Sequence, residues 1–289
     1  MKHFFTLTTC LLLLMSMAFT QIPEVNTSGG WDWPDISKEY VKNLHLKKLY
    51  IYSSGNAPLR GGGELAYQTA KFMEYDRNGN ILVEGELVGS DTTLVKSYKY
   101  TKNNLLSWEY IDDKVWNKKY KVGHRYNCDE TLFQTKTYEY LNDSDLMLVD
   151  TRYYMWNKKK EKPELAEIKL VERSKVVERQ IFQKSKDGLT LVIEIRDAYD
   201  EVLKTVEIDY QVDRQPSRIV KKGENTEEFR YLYDVAGNLV EIDWFENQEK
   251  KGIISYEYDR NGKIAHLKKY LAENTNATIE EFEFDYLVY

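Results

Sequence analysis

The stretch "YDRNGNI", Tyr75 to Ile81, returns almost unchanged as "YDRNGKI", Tyr258 to Ile264, and more loosely as "YDVAGNL", Tyr233 to Leu239. In each copy a glycine (Gly79, Gly237 or Gly262) sits between two stretches of alternating polarity, preceded by Asn78, Ala236 or Asn261. Glycine takes positive φ without steric cost and Asn tolerates it, so such a pair closes a tight connection between two strands. Asp76, Asp234 and Asp259 are placed to accept backbone N–H groups within the turn, and the Tyr before each can pack across the hairpin. Each heptapeptide predicts a hairpin tip, with Asp76, Asn78, Gly79, Asp234, Gly237, Asp259, Asn261 and Gly262 as its structural residues.

Weaker copies align on the same aromatic: Tyr52, Tyr75, Tyr100, Tyr126, Tyr154, Phe182, Tyr210, Tyr233, Tyr258 and Phe284, at spacings of 23 to 28 residues. A period of that size marks a repeat architecture. In "YTKNNLL" (Tyr100 to Leu106) Asn104 stands where the glycine was, and in "YNCDETL" (Tyr126 to Leu132) Glu130 does; "YQVDRQPSRI" (Tyr210 to Ile219) needs a longer turn. Between turns, Val206, Ile208, Tyr210 and Val212 alternate with Glu207, Asp209, Gln211 and Asp213, and Leu189, Leu191, Ile193 and Ile195 form a second such row. That is the two-residue period of strands; a 3.6-residue period would scatter these side chains. A short helix is predicted only for Asp35 to Leu44, after Pro34, and Pro163 to Glu178 is read as strand because the aromatic spacing runs through it.

The fold class is therefore all-β, built of antiparallel hairpin repeats with a period of about 25 residues. Some 20 strands at ~4.8 Å would make a flat sheet roughly 95 Å wide, more than open sheets sustain. With one face apolar, the expectation is one long curled sheet or a partly closed shell that covers its own aromatic face. The pattern Tyr-Asp-x-x-Gly-Asn-Leu/Ile, preceded by alternating aromatics as in "ISYEYDRNG" (Ile254 to Gly262), resembles the YD repeats of the RHS family of bacterial surface and secreted proteins. The resemblance implies stacked antiparallel hairpins and a role in toxin encapsulation, adhesion or carbohydrate contact. This chain has a longer period than the family's usual one and no toxin domain after its last repeat, so a short stand-alone sheet is the nearer analogue.

Lys2 and His3 precede an apolar run from Phe4 through Met17, and Ala18 to Thr20 supplies a small-residue exit. This is the order of a cleaved signal peptide over residues 1–20, followed by an N-terminal cap segment, 21–45, and a repeat domain, 46–289. The expected location is outside the cytoplasm, in the periplasm, at the cell surface or secreted. Beyond the leader the one cysteine is Cys128, read as a small buried hydrophobe, so no intramolecular disulfide is expected. A formal charge of −6 with both signs interspersed lacks the basic stripe a phosphate backbone requires, which excludes nucleic acid as a partner.

Chemistry is sparse in the sequence. Asp76 to Asn80 has a calcium-loop flavour, but its glycine comes two positions early and no closing carboxylate follows, so it reads as a plain turn. His45, His124 and His266 are isolated and read as surface or strand-face residues. Gly61-Gly62-Gly63 reads as an inter-strand loop, and Trp31 and Trp33 as a plug over the first strand edge. No catalytic residue, metal or cofactor is expected. The best binding candidates are "VWNKK" (Val115 to Lys119), "MWNKK" (Met155 to Lys159) and the looser "WFENQEKKG" (Trp244 to Gly252), read as connections opposite the heptapeptide turns. A ring beside Asn and Lys can stack on a sugar or hold an acidic partner, through Trp116, Lys118, Lys119, Trp156, Lys158, Lys159 and Trp244.

The resulting expectation is an exported, non-enzymatic binding or adhesion module for a glycan or a protein. The alternatives are an outer-membrane β-barrel, which keeps membrane association open, and a toxin-immunity or inhibitor-type protein. N-terminal sequencing of exported material should find a first residue near Gln21, and an intact Met1 on that material would exclude the leader.

Overall fold

The computed structural model describes residues 38–53, 68–88, 91–142, 144–158, 163–212, 215–272 and 274–289. The expected leader, Trp31, Trp33 and Gly61 to Gly63 lie outside these residues. A short helix, α1 (Lys38–Asn43), falls inside the predicted helical stretch. Strands follow in nine consecutive pairs. The first pairs are β1 (Leu46–Ser53) and β2 (Gln68–Tyr75), β3 (Ile81–Val88) and β4 (Asp91–Tyr100), β5 (Leu106–Asp113) and β6 (Lys118–Tyr126), β7 (Leu132–Tyr140) and β8 (Leu146–Asn157). Next come β9 (Glu164–Glu172) and β10 (Lys175–Lys184), β11 (Thr190–Asp197) and β12 (Val202–Tyr210), and β13 (Pro216–Lys222) and β14 (Thr226–Tyr233). The last are β15 (Leu239–Glu246) and β16 (Glu249–Tyr258), β17 (Ile264–Leu271) and β18 (Asn274–Val288). The all-β antiparallel class is as expected, and the stretch after Pro163, read as strand, forms β9 and the start of β10.

The sheet closes on itself. Each strand pairs antiparallel with the next, and β1 pairs with β18 from Leu46↔Val288 to Ser53↔Phe282, so the 18 strands form a closed barrel and not an open curled sheet or a partly closed shell. Closure removes both unpaired edges, each of which would otherwise present a row of free backbone donors and acceptors. It is also what an outer-membrane barrel requires and an open repeat module does not.

The heptapeptide turns form as the sequence predicts. Asp76 Oδ1 accepts from the backbone N–H of Asn78 and Asn80, Asp234 Oδ1 from Ala236 and Asn238, and Asp259 Oδ1 from Asn261 and Lys263, all at 2.8–2.9 Å. Gly79, Gly237 and Gly262 take φ of +76°, +85° and +75°; Asn104 and Glu130 take positive φ at the same place in the decayed copies. All these turns lie at one end of the barrel, called here the turn end, because every even-numbered strand runs toward it. Tyr52 is the exception to the aromatic alignment: it lies on β1, which runs the other way, near its far end. Val212 lies in the turn after β12 and is exposed, so that apolar row ends at Tyr210.

A second layer of bonding links successive hairpins. Most of these turns are flanked by a register shift where the repeat Tyr pairs with the first residue of the odd strand, as at Tyr75↔Ile81, Tyr100↔Leu106, Tyr126↔Leu132 and Tyr258↔Ile264, whereas the β10–β11 ladder is regular. A bulge disturbs the ladder locally. The carbonyl of that first residue accepts a side-chain donor from the next repeat: Tyr100 Oη to Ile81 O (2.9 Å), Tyr126 to Leu106 (2.9 Å), Tyr233 to Pro216 (2.9 Å), Tyr258 to Leu239 (2.8 Å) and Tyr286 to Ile264 (2.7 Å). On β8 the donor is Trp156 Nε1, bound to Leu132 O at 2.6 Å. The repeat aromatic is thus Trp156 on β8 and Tyr286 on β18, two residues beyond the aligned Tyr154 and Phe284.

One face of the wall is inward all the way round. Leu49, Ile51, Ile193 and Ile208, all at 0% exposure, lie on it with Met73, Val206, Ile219, Ile242, Ile254, Leu267 and Phe282. Round barrels of 16–18 strands enclose an aqueous channel; here the sector from β11 through β18 to β2 is filled with side chains. The outward face is charged and laced with ion pairs: Arg179–Glu167 (2.5 Å), Arg196–Glu194 (2.5 Å), Arg218–Glu228 (3.0 Å) and Lys268–Glu257 (2.9 Å). At the turn end α1 docks on the barrel, burying Val41, while the Ile264 N–H donates to Tyr40 Oη at 3.0 Å and Lys38 Nζ donates to Asn80 Oδ1.

Gly79 lies under this helix: a Cβ there would meet the Lys38 carbonyl oxygen at 2.7 Å, whereas a Cβ on Gly262 meets nothing within 4 Å. Gly262→Val should cost about 1–3 kcal/mol, the strain of a β-branched residue at positive φ. Gly79→Val carries that strain and also displaces α1, so its urea midpoint should fall further than that of Gly262→Val.

Candidate functional site

The sector of the inner face between β2 and β10 mixes charged and polar side chains with a small apolar cluster of Leu132, Tyr154 and Ile168. Glu84 is bound by Lys96 Nζ at 3.0 Å and accepts from Tyr98 Oη at 2.7 Å, with Lys71 Nζ at 3.5 Å. Burial pushes this carboxyl up, but the two lysines and the hydroxyl outweigh it and hold its pKa at about 2. The side chains of Lys71, Glu84 and Lys96 keep 12–18% exposure although they face inward, so the space beside them is not filled as it is on the apolar side.

Further round, register brings a second group together. His124 pairs with Thr135, Thr135 with Arg152, Arg152 with Leu170 and Leu170 with Glu178 across β6 to β10. The adjacent row runs Glu109, Val122, Thr137, Asp150 across β5 to β8. Arg152 lies among three buried carboxyls. Its Nη1 is 3.9 Å from Asp150 Oδ1, and it offsets the burial penalty on Glu109, Asp150 and Glu178, yet burial dominates and raises all three. Thr137 Oγ1 donates to Asp150 Oδ1 at 3.2 Å, and Gln180 Nε2 to Glu178 Oε1 at 3.0 Å. Asp150 Oδ2, Gln180 Oε1 and both ring nitrogens of His124 are buried without a hydrogen-bond partner. Burial alone lowers the His124 pKa to about 4. A buried polar atom left unpaired costs about 1–3 kcal/mol, so this cluster, which we call the polar chamber, carries a desolvation cost that its own side chains do not offset.

The binding residues expected from sequence do not gather. Trp116 is exposed in the β5–β6 turn at the end remote from the heptapeptide turns. Trp156, on the same "WNKK" string, lies at the turn end, packed beside Leu132, Tyr154 and Ile168 and holding the Leu132 carbonyl. The two copies therefore stand at opposite ends of the barrel, not together on the connections opposite the heptapeptide turns. Trp244 is on the inner row of β15, opposite Phe229 and Gly252. Lys118 pairs with Glu139 at 2.7 Å, Lys158 with Asp129 at 2.6 Å, and Lys119 is exposed beside Asp112; Lys159 lies outside the described residues. Cys128 is exposed in a turn and not a buried hydrophobe. His124 is on the inward face of β6 with both ring nitrogens buried, and His266 is on the outer face, 3.5 Å from Glu281, each a strand-face residue. The chamber went unseen because Glu, Lys and Arg in alternating rows read as outward-facing in a single strand. No group of three or more potential metal ligands occurs among the described residues.

No family model and no curated protein matches the chain. Among solved structures it is similar to a porin-like protein from Bacteroides uniformis, at 11% identity and a TM-score of 0.44, over 84% of this chain and 97% of that one. A porin-like protein from Bacteroides vulgatus matches at 10% identity and a TM-score of 0.34, over 84% and 99%. A TcdB2-TccC3-TEV structure matches at 9% identity and a TM-score of 0.27, over 75% of this chain and 16% of that one. Likenesses this slight carry no functional reading.

The imidazole gives the chamber a pH signature. With its folded pKa lowered from 6.5 to about 4, His124 stays neutral in the barrel while the unfolded chain takes up a proton. Its contribution to stability is present above pH 6.5 and is lost as pH falls through that window. Glu109, Asp150 and Glu178, raised by burial, act in the opposite sense, losing stability as pH rises through their shifted values. Replacing His124 by Gln should reduce the stability lost between pH 7 and pH 4.5 by about 2 kcal/mol, read from urea midpoints at both pH values.

Proposed function

We propose that this protein is an exported, non-enzymatic binding barrel that stands in water and holds a small donor-rich ligand, a saccharide or an amine, in its polar chamber. The observation that carries the reading is the inward convergence of unpartnered acceptors, Asp150 Oδ2, Gln180 Oε1 and a His124 ring nitrogen, around a guanidinium outnumbered by carboxyls. The charged outer wall supports the aqueous setting. A Lys or Arg facing lipid at the bilayer midplane costs about 2–4 kcal/mol, and ion pairs recur round this surface on strand after strand. The likeness to YD repeats belongs to this proposal, supported by the Asp-anchored turns and the hydroxyl links between hairpins.

A second reading, the outer-membrane barrel, is favoured by the closed, even-numbered meander in which every strand pairs with its sequence neighbour. Fractionation separates the two: the binding barrel should come off the cell or out of the medium without detergent, and recovery only in detergent would establish the membrane reading in its place. The ligand is tested by native mass spectrometry of gently purified protein. A bound mass of a few hundred daltons, lost in Asp150→Ala, is the expected result, on the scale of ligands that such cavities enclose. Bound water alone would remove the chamber as a binding site.

A further inference from the structure

At the end remote from α1, four successive hairpin tips expose large apolar side chains: Trp116 at β5–β6, Leu141 and Leu146 at β7–β8, Val176 at β9–β10, and Tyr199 and Leu203 at β11–β12. The tips that follow, Gly223 to Asn225 and Asn247 with Gln248, carry none. Val88 at β3–β4 extends the arc by one tip and Leu271 at β17–β18 stands apart from it; scattered exposed apolar residues are ordinary, but an unbroken run over neighbouring tips is an interaction surface. The exposed charges along the arc alternate in sign. The β5–β6 tip carries Lys114 and Lys119, the β7–β8 tip Asp145, the β9–β10 tip Arg173 and Lys175, and the β11–β12 tip Asp200 and Glu201. Lys114 also pairs with Asp112, and Asp200 with Arg179 and Arg196, within the chain.

We infer that this arc is the self-complementary interface of a homodimer stacked end to end. Consider a two-fold axis in the plane of the barrel end, passing between the β7–β8 and β9–β10 tips. It sets β5–β6 of one copy on β11–β12 of the other, and β7–β8 on β9–β10. Positive meets negative at each contact, with the apolar residues between them. An isologous interface demands this kind of self-complementarity, in which a patch meets itself turned over. The four tips present roughly 20 residues a side, the lower end of a standard interface. A lipid surface does not account for the alternation, since half of the charges would be repelled by anionic headgroups and all of them wasted on neutral ones.

Sedimentation equilibrium of the purified protein tests the assignment. The wild type should dimerise within a range of about 1–100 µM. Lys119→Glu and Glu201→Lys each place like charges together twice per dimer, and each should raise the dissociation constant by about tenfold or more. The double variant, which restores opposite signs with the order exchanged, should return to within about threefold of wild type, with circular dichroism unchanged throughout. Recovery in the double variant cannot arise from damaged folding. A wild type that stays monomeric at 100 µM, single variants that dimerise normally, or a double variant no better than the singles would each overturn the inference. So would a monomer that floats with neutral phosphatidylcholine vesicles, which would give the apolar arc to lipid.

Discussion

The barrel rests on a donor reaching a carbonyl one hairpin back. Every heptapeptide turn ends in a bulge, and a bulge takes backbone groups out of the ladder where the wall must bend. The aromatic of the next repeat supplies the missing donor: a tyrosine hydroxyl to Ile81, Leu106, Pro216, Leu239 and Ile264, and the indole of Trp156 to Leu132. Each such bond contributes about 1 kcal/mol, little by itself, but it recurs at one end of six strand pairs and helps to fix how far those hairpins are offset from their neighbours. That offset, repeated, sets the shear with which a sheet closes. The same aromatics fill the turn end from inside, and α1 then seals it, with Gly79 leaving room for the Lys38 carbonyl.

Closing the wall produces two interiors. From β11 round to β2 the inward rows are mainly aliphatic and aromatic, with Lys221 and Lys269 buried among them, and the core residues keep 7% exposure or less, which supplies the hydrophobic stabilisation. From β2 to β10 the inward rows carry Lys71, Glu84, Lys96, Glu109, Asp150, Arg152 and Glu178, whose desolvation must be offset by pairing. Glu84 achieves this with two lysines and a tyrosine; the three carboxyls round Arg152 do not, and it is there that unpartnered acceptors collect. A core assembled for stability alone would not keep both kinds of lining. The polar sector is carried by the apolar one.

The hairpin tips were legible because Asp76, Gly79 and their copies combine a backbone acceptor with positive φ at fixed spacing, which has few other uses. The rows of β11 and β12 were legible because they alternate cleanly. Closure was only half visible: sheet width argues that the ends must be covered, but β1 and β18 are paired by residues 227 or more positions apart, as Ser53 and Glu280 also show, and no local pattern announces that meeting. The tryptophans misled for a geometric reason. Trp116 and Trp156 share a string, yet β6, β7 and β8 intervene, an odd number of strands, and an odd number delivers the second copy to the other end. The polar chamber was hidden because in a strand taken alone a charged residue reads as outward, and only the pairing of Thr135 with Arg152 and of Met73 with Glu84 shows which way those rows point.

The links between hairpins run only from one repeat to the next, which makes the circumference of the wall a modular quantity. Removing or adding one complete strand pair leaves every remaining hydroxyl with a carbonyl of the right kind beside it, and leaves β1 and β18 with the same edges to join. Within this grammar the barrel can change girth by two strands at a time and never by one. A lineage copying its heptapeptide unit would therefore sample a ladder of vessel sizes, with lumen volume inherited as a repeat number and not as a set of point substitutions.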